Sequence, residues 1–90
     1  MFKTLEELIA VIRQRKESSA EESYTNKLLN NKKLSVEKVK EEMAELIDAI
    51  EKNTNKVHEA ADVLYHLMVF LEASGIKIED VMDELKKRQK

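Results

Sequence analysis

Cysteine and proline are absent from the 90 residues, and glycine occurs once. Without cysteine there is neither a disulfide framework nor a thiolate metal site. With one glycine and no proline, sharp turns and helix breakers are scarce, which points to an all-α fold. No apolar run nears the roughly 20 residues of a membrane-spanning helix. The start, Met1-Phe2-Lys3-Thr4, lacks the apolar core of a secretion signal. Charge of one sign is also missing: 16 Lys and Arg stand against 18 Asp and Glu, for a net charge of -2, and the basic residues are spread along the chain. That is no nucleic-acid footprint. A cytoplasmic protein without nucleic-acid or membrane partners is expected.

What remains is 42% hydrophobic and 38% charged, the balance of a soluble amphipathic helical protein. The length fits a single domain over residues 1–90. Such a small domain buries only about 60–65% of its unfolded surface, so its stability margin is thin and an oligomer would widen it.

Thr4-Leu5-Glu6-Glu7 has the form of a capping box, and Leu5, Leu8, Ile9 and Ile12 keep helical spacing. Helix one is expected to about Lys16. Glu17 to Glu22 reads as a polar connection. Ser23 to Leu29 reads as a short helix ending at Asn30-Asn31, where Asn can take a left-handed cap conformation. Ser35 is the N-cap candidate for a third helix with an apolar stripe of Val36, Val39, Met43, Leu46, Ile47 and Ile50. Asn53-Thr54-Asn55 is the next break. A fourth helix from about Lys56 to Ser74 is stopped by Gly75, and a fifth from Ile78 to about Lys87 has Val81, Met82 and Leu85 as its inner face. The expected fold is therefore an all-α bundle of four to five helices.

Two copies of acid-x-x-acid, Glu42–Glu45 and Glu59–Asp62, fall on the third and fourth helices. Spacing by three puts both acids of a pair on one face, and a short turn makes the two helices antiparallel neighbours. Facing pairs would form an oxygen-only pocket suited to Mg²⁺ or Mn²⁺. On the third helix, Glu41, Glu42 and Glu45 also fit a solvated face, with Glu42 at the border of the apolar stripe. The fourth helix is more informative. Ala60, Val63, Leu64, Leu67, Met68, Val69, Phe70 and Leu71 cover nearly its whole circumference, as in a buried helix. Glu59, Asp62 and His66 interrupt that surface within an arc of about 60°. Buried carboxylates are costly unless paired or metal-bound, so the stripe is either a metal site or an ion-pair network with Lys38 or an Arg. A di-iron centre would call for Glu-x-x-His motifs, and neither His58 nor His66 has an acid three residues before it. Zinc would want more His or Cys. His58 is expected at the surface or an interface with no special role.

The apolar circumference of the fourth helix needs more cover than two or three short helices give. A homodimer burying helices three and four is therefore expected, with cations crossing from the partner as one arrangement.

Ser23-Tyr24-Thr25-Asn26-Lys27-Leu28, Lys38-Val39-Lys40-Glu41-Glu42-Met43-Ala44-Glu45, Glu59-Ala60-Ala61-Asp62-Val63-Leu64-Tyr65-His66-Leu67-Met68-Val69 and Gly75 to Val81, with Leu85 and Arg88, together resemble the phosphoribosyl-ATP pyrophosphohydrolase family. The acid pairs alone are shared with the wider MazG-like all-α nucleotide pyrophosphohydrolases. Lys40 stands where the family usually has Gly, and Ala20-Glu21-Glu22 where it tends to carry Pro. Lys in a helix is favoured over Gly, but it would crowd a substrate that needs close approach there.

The resemblance implies Mg²⁺-dependent hydrolysis of phosphoribosyl-ATP to phosphoribosyl-AMP and pyrophosphate, the second step of histidine biosynthesis. It implies Glu42, Glu45, Glu59 and Asp62 as metal ligands, with Glu41 either joining them or orienting water, so that Glu41, Glu42 and Glu45 form the catalytic group. Lys27 and Lys38, with Arg15, would offset phosphate charge. Ser23 and Thr25 would offer hydroxyls, though Ser23 also reads as an ordinary N-cap. His66 would be a hydrogen-bonding helper or an ordinary packed histidine rather than a ligand. Tyr24 and Tyr65 would pack or hydrogen-bond rather than touch substrate. Alternatives are a housecleaning nucleoside triphosphate pyrophosphohydrolase and a non-catalytic helical interaction module.

Overall fold

A computed structural model describes residues 2–19, 21 and 23–89. Ala20 and Glu22, in the expected polar connection, lie outside the described residues. Five α-helices form: α1 (Lys3–Gln14), α2 (Tyr24–Leu29), α3 (Lys32–Lys52), α4 (Lys56–Ala73) and α5 (Ile78–Arg88), with a 3-10 turn at Arg15–Glu17 extending α1. No strand occurs among the described residues, so the all-α expectation holds. No helix among them is long and apolar enough to cross a membrane.

The architecture turns on the link between α3 and α4. Asn53 (φ 57°) and Asn55 (φ 43°) both sit in the left-handed region, which Asn tolerates better than most residues. Thr54 N–H donates to the Ala49 carbonyl at 2.9 Å and closes the end of α3. The chain reverses within three residues, and α3 and α4 pack along each other more extensively than any other pair. Gly75 (φ +73°) ends α4 as expected, with Ile76 N–H donating back to the Leu71 carbonyl.

Helix α4 is the hub, touching α1, α2, α3 and α5. Its Met68 and Val69 join Ile12 of α1 and Leu28 of α2 in the core, and Leu5, Leu8, Ile9, Leu34, Leu67 and Leu71 pack around them. Helix α2 is too short to stand alone. Its buried Asn26 holds it down by donating Nδ2–H to the carbonyls of Arg15 (2.8 Å) and Lys16 (3.4 Å). Arg13 ties α1 to both α4 and α5. Its Nε donates to Glu72 at 3.2 Å, and its two terminal nitrogens grip Glu79 at 2.9 and 2.7 Å. Lys16 adds an ion pair to Glu72.

Several local expectations are corrected. Thr4 does not cap α1: the helix starts at Lys3, with Phe2 in the cap position and no side-chain bond. Ser35 does not cap α3: Asn31 does, accepting from Leu34 N–H at 3.1 Å, and Ser35 is buried inside the helix at 1% exposure. The competing cap lies four residues upstream, and Lys32-Lys33-Leu34 propagates a helix well. Asn30 ends α2 at φ -98°, not left-handed. Ser23 does cap α2, accepting from Asn26 N–H at 3.1 Å. The inner face expected of α5 is only partly covered: Val81 is half-buried, but Met82 and Leu85 stay about half exposed. Similarly, Met43, Ile47 and Ile50 of the α3 stripe, and Val57 and Leu64 of α4, are open in the single chain.

The Arg13 guanidinium lowers the Glu79 pKa from 4.5 to about 2. A carboxylate whose pKa falls on folding stabilises the fold above its unfolded pKa, and this contribution is lost as pH falls through the folded value. Arg13→Gln should therefore lower the thermal midpoint by a few degrees at pH 7. Between about pH 4.5 and 2 the gap to wild type should close, as followed by circular dichroism melts.

Candidate active site

The acid-x-x-acid pairs meet because the tight α3–α4 reversal sets the helices antiparallel with their acidic stripes in contact. Glu42, Glu45 and Glu59 each place a carboxylate oxygen within 4.8 Å of the others. A second trio shares Glu59 and adds Asp62 and His58, again within 4.8 Å. The four acids expected to converge thus do so, around Glu59.

Two features separate this cluster from an ordinary acidic surface. Glu42 is only 9% exposed. Moreover, Oε2 of Glu42 and Oε2 of Glu59 are buried with no hydrogen-bond partner. An unpaired buried carboxylate oxygen is among the costliest groups a fold can carry. Burial raises the Glu42 pKa, and neighbouring Glu45 raises it further. Burial also raises that of Glu59, helped by the charges of Glu45 and Asp62. Both acids bind protons more readily folded than unfolded, so their own contribution to stability grows as pH falls.

The orphaned oxygens and the oxygen-rich donor set fit a hard divalent cation such as Mg²⁺ or Mn²⁺. Among the described residues no Lys or Arg pairs with Glu42, Glu45, Glu59 or Asp62: Lys38 bonds Glu41 at 3.3 Å, and Asp62 pairs with His58 at 3.4 Å.

His58 lies at the surface, as expected, and its spacing of four from Asp62 puts both on one face of α4, where they pair. Glu41 is exposed, held by Lys38, and belongs to neither trio. Its bond raises the Lys38 pKa and keeps that ammonium charged.

Beside the acids lies a cluster of hydroxyls and rings. His66 is buried, and its Nδ1–H donates to the Asp62 carbonyl at 2.8 Å. In the neutral ring this leaves Nε2 to accept from the Tyr24 hydroxyl at 3.1 Å. Thr25 and Tyr65 hydrogen-bond through their hydroxyls. Both ring nitrogens of His66 are thus hydrogen-bonded, one to Asp62 and one to Tyr24. The Ser23 hydroxyl oxygen is spent on its cap. Lys27 and Arg15 are exposed and make no ion pair among those described. Lys40 likewise stands in solvent on α3.

A small helical protein whose adjacent helices turn acid pairs toward each other has the build of an all-α nucleotide pyrophosphohydrolase. The chain belongs to the phosphoribosyl-ATP pyrophosphohydrolase family, whose sequence model matches residues 5–89. A phosphoribosyl-ATP pyrophosphatase of Clostridium novyi (strain NT) is 44% identical over 90 residues, spanning 96% of this chain and 81% of that protein. One of Methanoculleus marisnigri is 44% identical over 91 residues, spanning 96% and 94%. The histidine biosynthesis bifunctional protein of Pyrococcus furiosus is 41% identical over 87 residues, spanning 96% of this chain but 41% of its own length.

If the orphaned oxygens await a cation, Mg²⁺ at a hundredfold its Kd should raise the thermal midpoint by on the order of 10 °C at neutral pH. Glu59→Gln removes the shared carboxylate. It should melt higher than wild type without metal and lose most of the Mg²⁺ shift. A wild-type response to Mg²⁺ in that variant would contradict the assignment.

Proposed function

We propose that this chain hydrolyses phosphoribosyl-ATP to phosphoribosyl-AMP and pyrophosphate, the second step of histidine biosynthesis. Family membership over nearly the whole chain supports the substrate. The observation that carries the site is the pair of buried, partnerless oxygens on Glu42 and Glu59 where the two acid pairs meet.

Water attacks a phosphorus of the α–β anhydride, the bond from that phosphorus to the bridging oxygen breaks, and phosphoribosyl-AMP and pyrophosphate part. Such chemistry rests on positioning and on charge neutralisation. Glu42, Glu45, Glu59 and Asp62 would hold one or more Mg²⁺, with His58 at the edge of the set. Bound there, Mg²⁺ supplies the positive charge that lets a polyphosphate approach an acidic protein. Glu41 lies outside both trios and suits the separate task of taking the proton from water. Lys38, already beside Glu41, answers charge on the phosphates, with Lys27 and Arg15 reaching from the α2 side. Thr25 presents its hydroxyl at the same end. Ser23 acts chiefly by fixing the start of α2.

The active form is a homodimer. Met43, Ile47 and Ile50 recur at helical spacing on α3, and Val57 and Leu64 do so on α4, all roughly half exposed or more. Contiguous apolar surface of this kind marks an interface, and a second copy laid on the same helix pair would complete a four-helix bundle.

Two measurements test this reading. Pyrophosphate release should require both phosphoribosyl-ATP and Mg²⁺, and Glu45→Gln and Asp62→Asn should each cut kcat at least a hundredfold with unchanged helicity. Turnover only of a panel of ordinary and modified nucleoside triphosphates would reassign the chain to housecleaning hydrolysis. In sedimentation at micromolar concentration, the mass should be twice 10.5 kDa. Ile47→Glu should shift it toward the monomer, and a wild-type monomer would overturn the assembly.

A further inference from the structure

The ring of Tyr24 is held in place yet covers little. One face stacks on Tyr65 with centroids 6.4 Å apart and planes 19° from parallel. His66 meets both rings edge-on, at 6.0 Å for Tyr24 and 4.9 Å for Tyr65. The hydroxyl is tethered to His66 Nε2. Three restraints fix a side chain that remains 47% exposed. The hydrogen bond and the Tyr65 face account for its inner side, so the exposure lies on the outer one. Helix α2 does not need this ring for the core, because Leu28 and Asn26 already anchor it.

Its position relative to the acids completes the case. Tyr24 lies within electrostatic reach of Lys38, Glu41 and Glu42, while His66 couples in turn to Glu42. A flat, rigid aromatic surface therefore stands at the rim of an acidic centre, on the side where Lys38 sits. The ligand that matches is planar and joined by a short linker to phosphates. A nucleotide is such a ligand. Stacking on an aromatic face tolerates substitution at the edge of the base, and a clamped ring loses little entropy on binding.

We propose that Tyr24 is the nucleobase platform of the site, stacking the purine of the substrate on its outer face while the phosphates extend to the acids of α3 and α4. This rests on the proposed hydrolysis of phosphoribosyl-ATP. Tyr65 lies behind the platform and backs it, and His66 is a positioning residue that sets its angle.

Tyrosine ring resonances of the full chain read the platform directly, since there are only two Tyr and no Trp. Adding the product phosphoribosyl-AMP with Mg²⁺ should move the Tyr24 signals upfield and those of Tyr65 less. Ribose 5-phosphate, which has no base, should move neither. In turnover, Tyr24→Leu should raise KM about tenfold with a smaller change in kcat. Tyr24→Phe keeps the ring but loses the tether to His66, so its KM should fall between those of wild type and Tyr24→Leu. Unmoved Tyr24 signals at saturating phosphoribosyl-AMP, or an unchanged KM in Tyr24→Leu, would overturn the platform. Should wild type not hydrolyse phosphoribosyl-ATP, the substrate fails alone. AMP as second probe then decides the platform by the same ring shift.

Discussion

Repulsion among carboxylates is the constraint around which this chain is arranged. Glu42, Glu45, Glu59 and Asp62 are brought close at the edge of the fold, and one oxygen each of Glu42 and Glu59 is buried without a hydrogen-bond partner. Left to themselves these groups would part the helices that carry them. What opposes them is the packing of α3 on α4 and the core gathered around Met68 and Val69 at the far end of α4. In a domain this small that opposition is modest. With the role proposed for these acids, stability and function would be set against each other at the same residues. A divalent cation bound there would turn the penalty into attraction.

The surroundings of the acids divide into two sides with different chemistry. Toward α2 lie hydroxyls, rings and the Lys38 ammonium, with Asp62, His66 and Tyr24 joined in sequence by hydrogen bonds. Away from α2, the same helices turn out Met43, Ile47, Ile50 and Leu64. One side suits a polar, flat ligand and the other suits an apolar neighbour. Helix periodicity makes this division cheap to encode: residues 42 and 45 point one way, and 43, 47 and 50 another.

Much of this was legible in the residues. The break at Asn53–Asn55, the stop at Gly75, the Ser23 cap and the meeting of the acid pairs all follow from local rules that the structure obeys. The misreadings were also local. Thr4 and Ser35 each have a good cap signature, but a signature states only that a helix can start there. Where the upstream residues also favour helix, the start moves back, to Lys3 and to the Asn31 cap. Burial was the hardest to foresee. Hydrophobic pattern marks which faces want cover, and Met82 and Leu85 show that wanting cover does not supply it.

The link of Asn53, Thr54 and Asn55 has a consequence for how such a chain can vary. Its left-handed residues set where α4 begins, and every side chain on α4 takes its bearing from that start. One residue inserted just inside α4 would rotate the following acids by about 100° relative to α3. Glu59 and Asp62 would then face a direction in which no partner carboxylate waits. Substitutions at the link alter only how easily the turn forms, whereas changes in length alter what it aims. Among descendants of this sequence, the count of residues between Glu45 and Glu59 should therefore drift far more slowly than their identities.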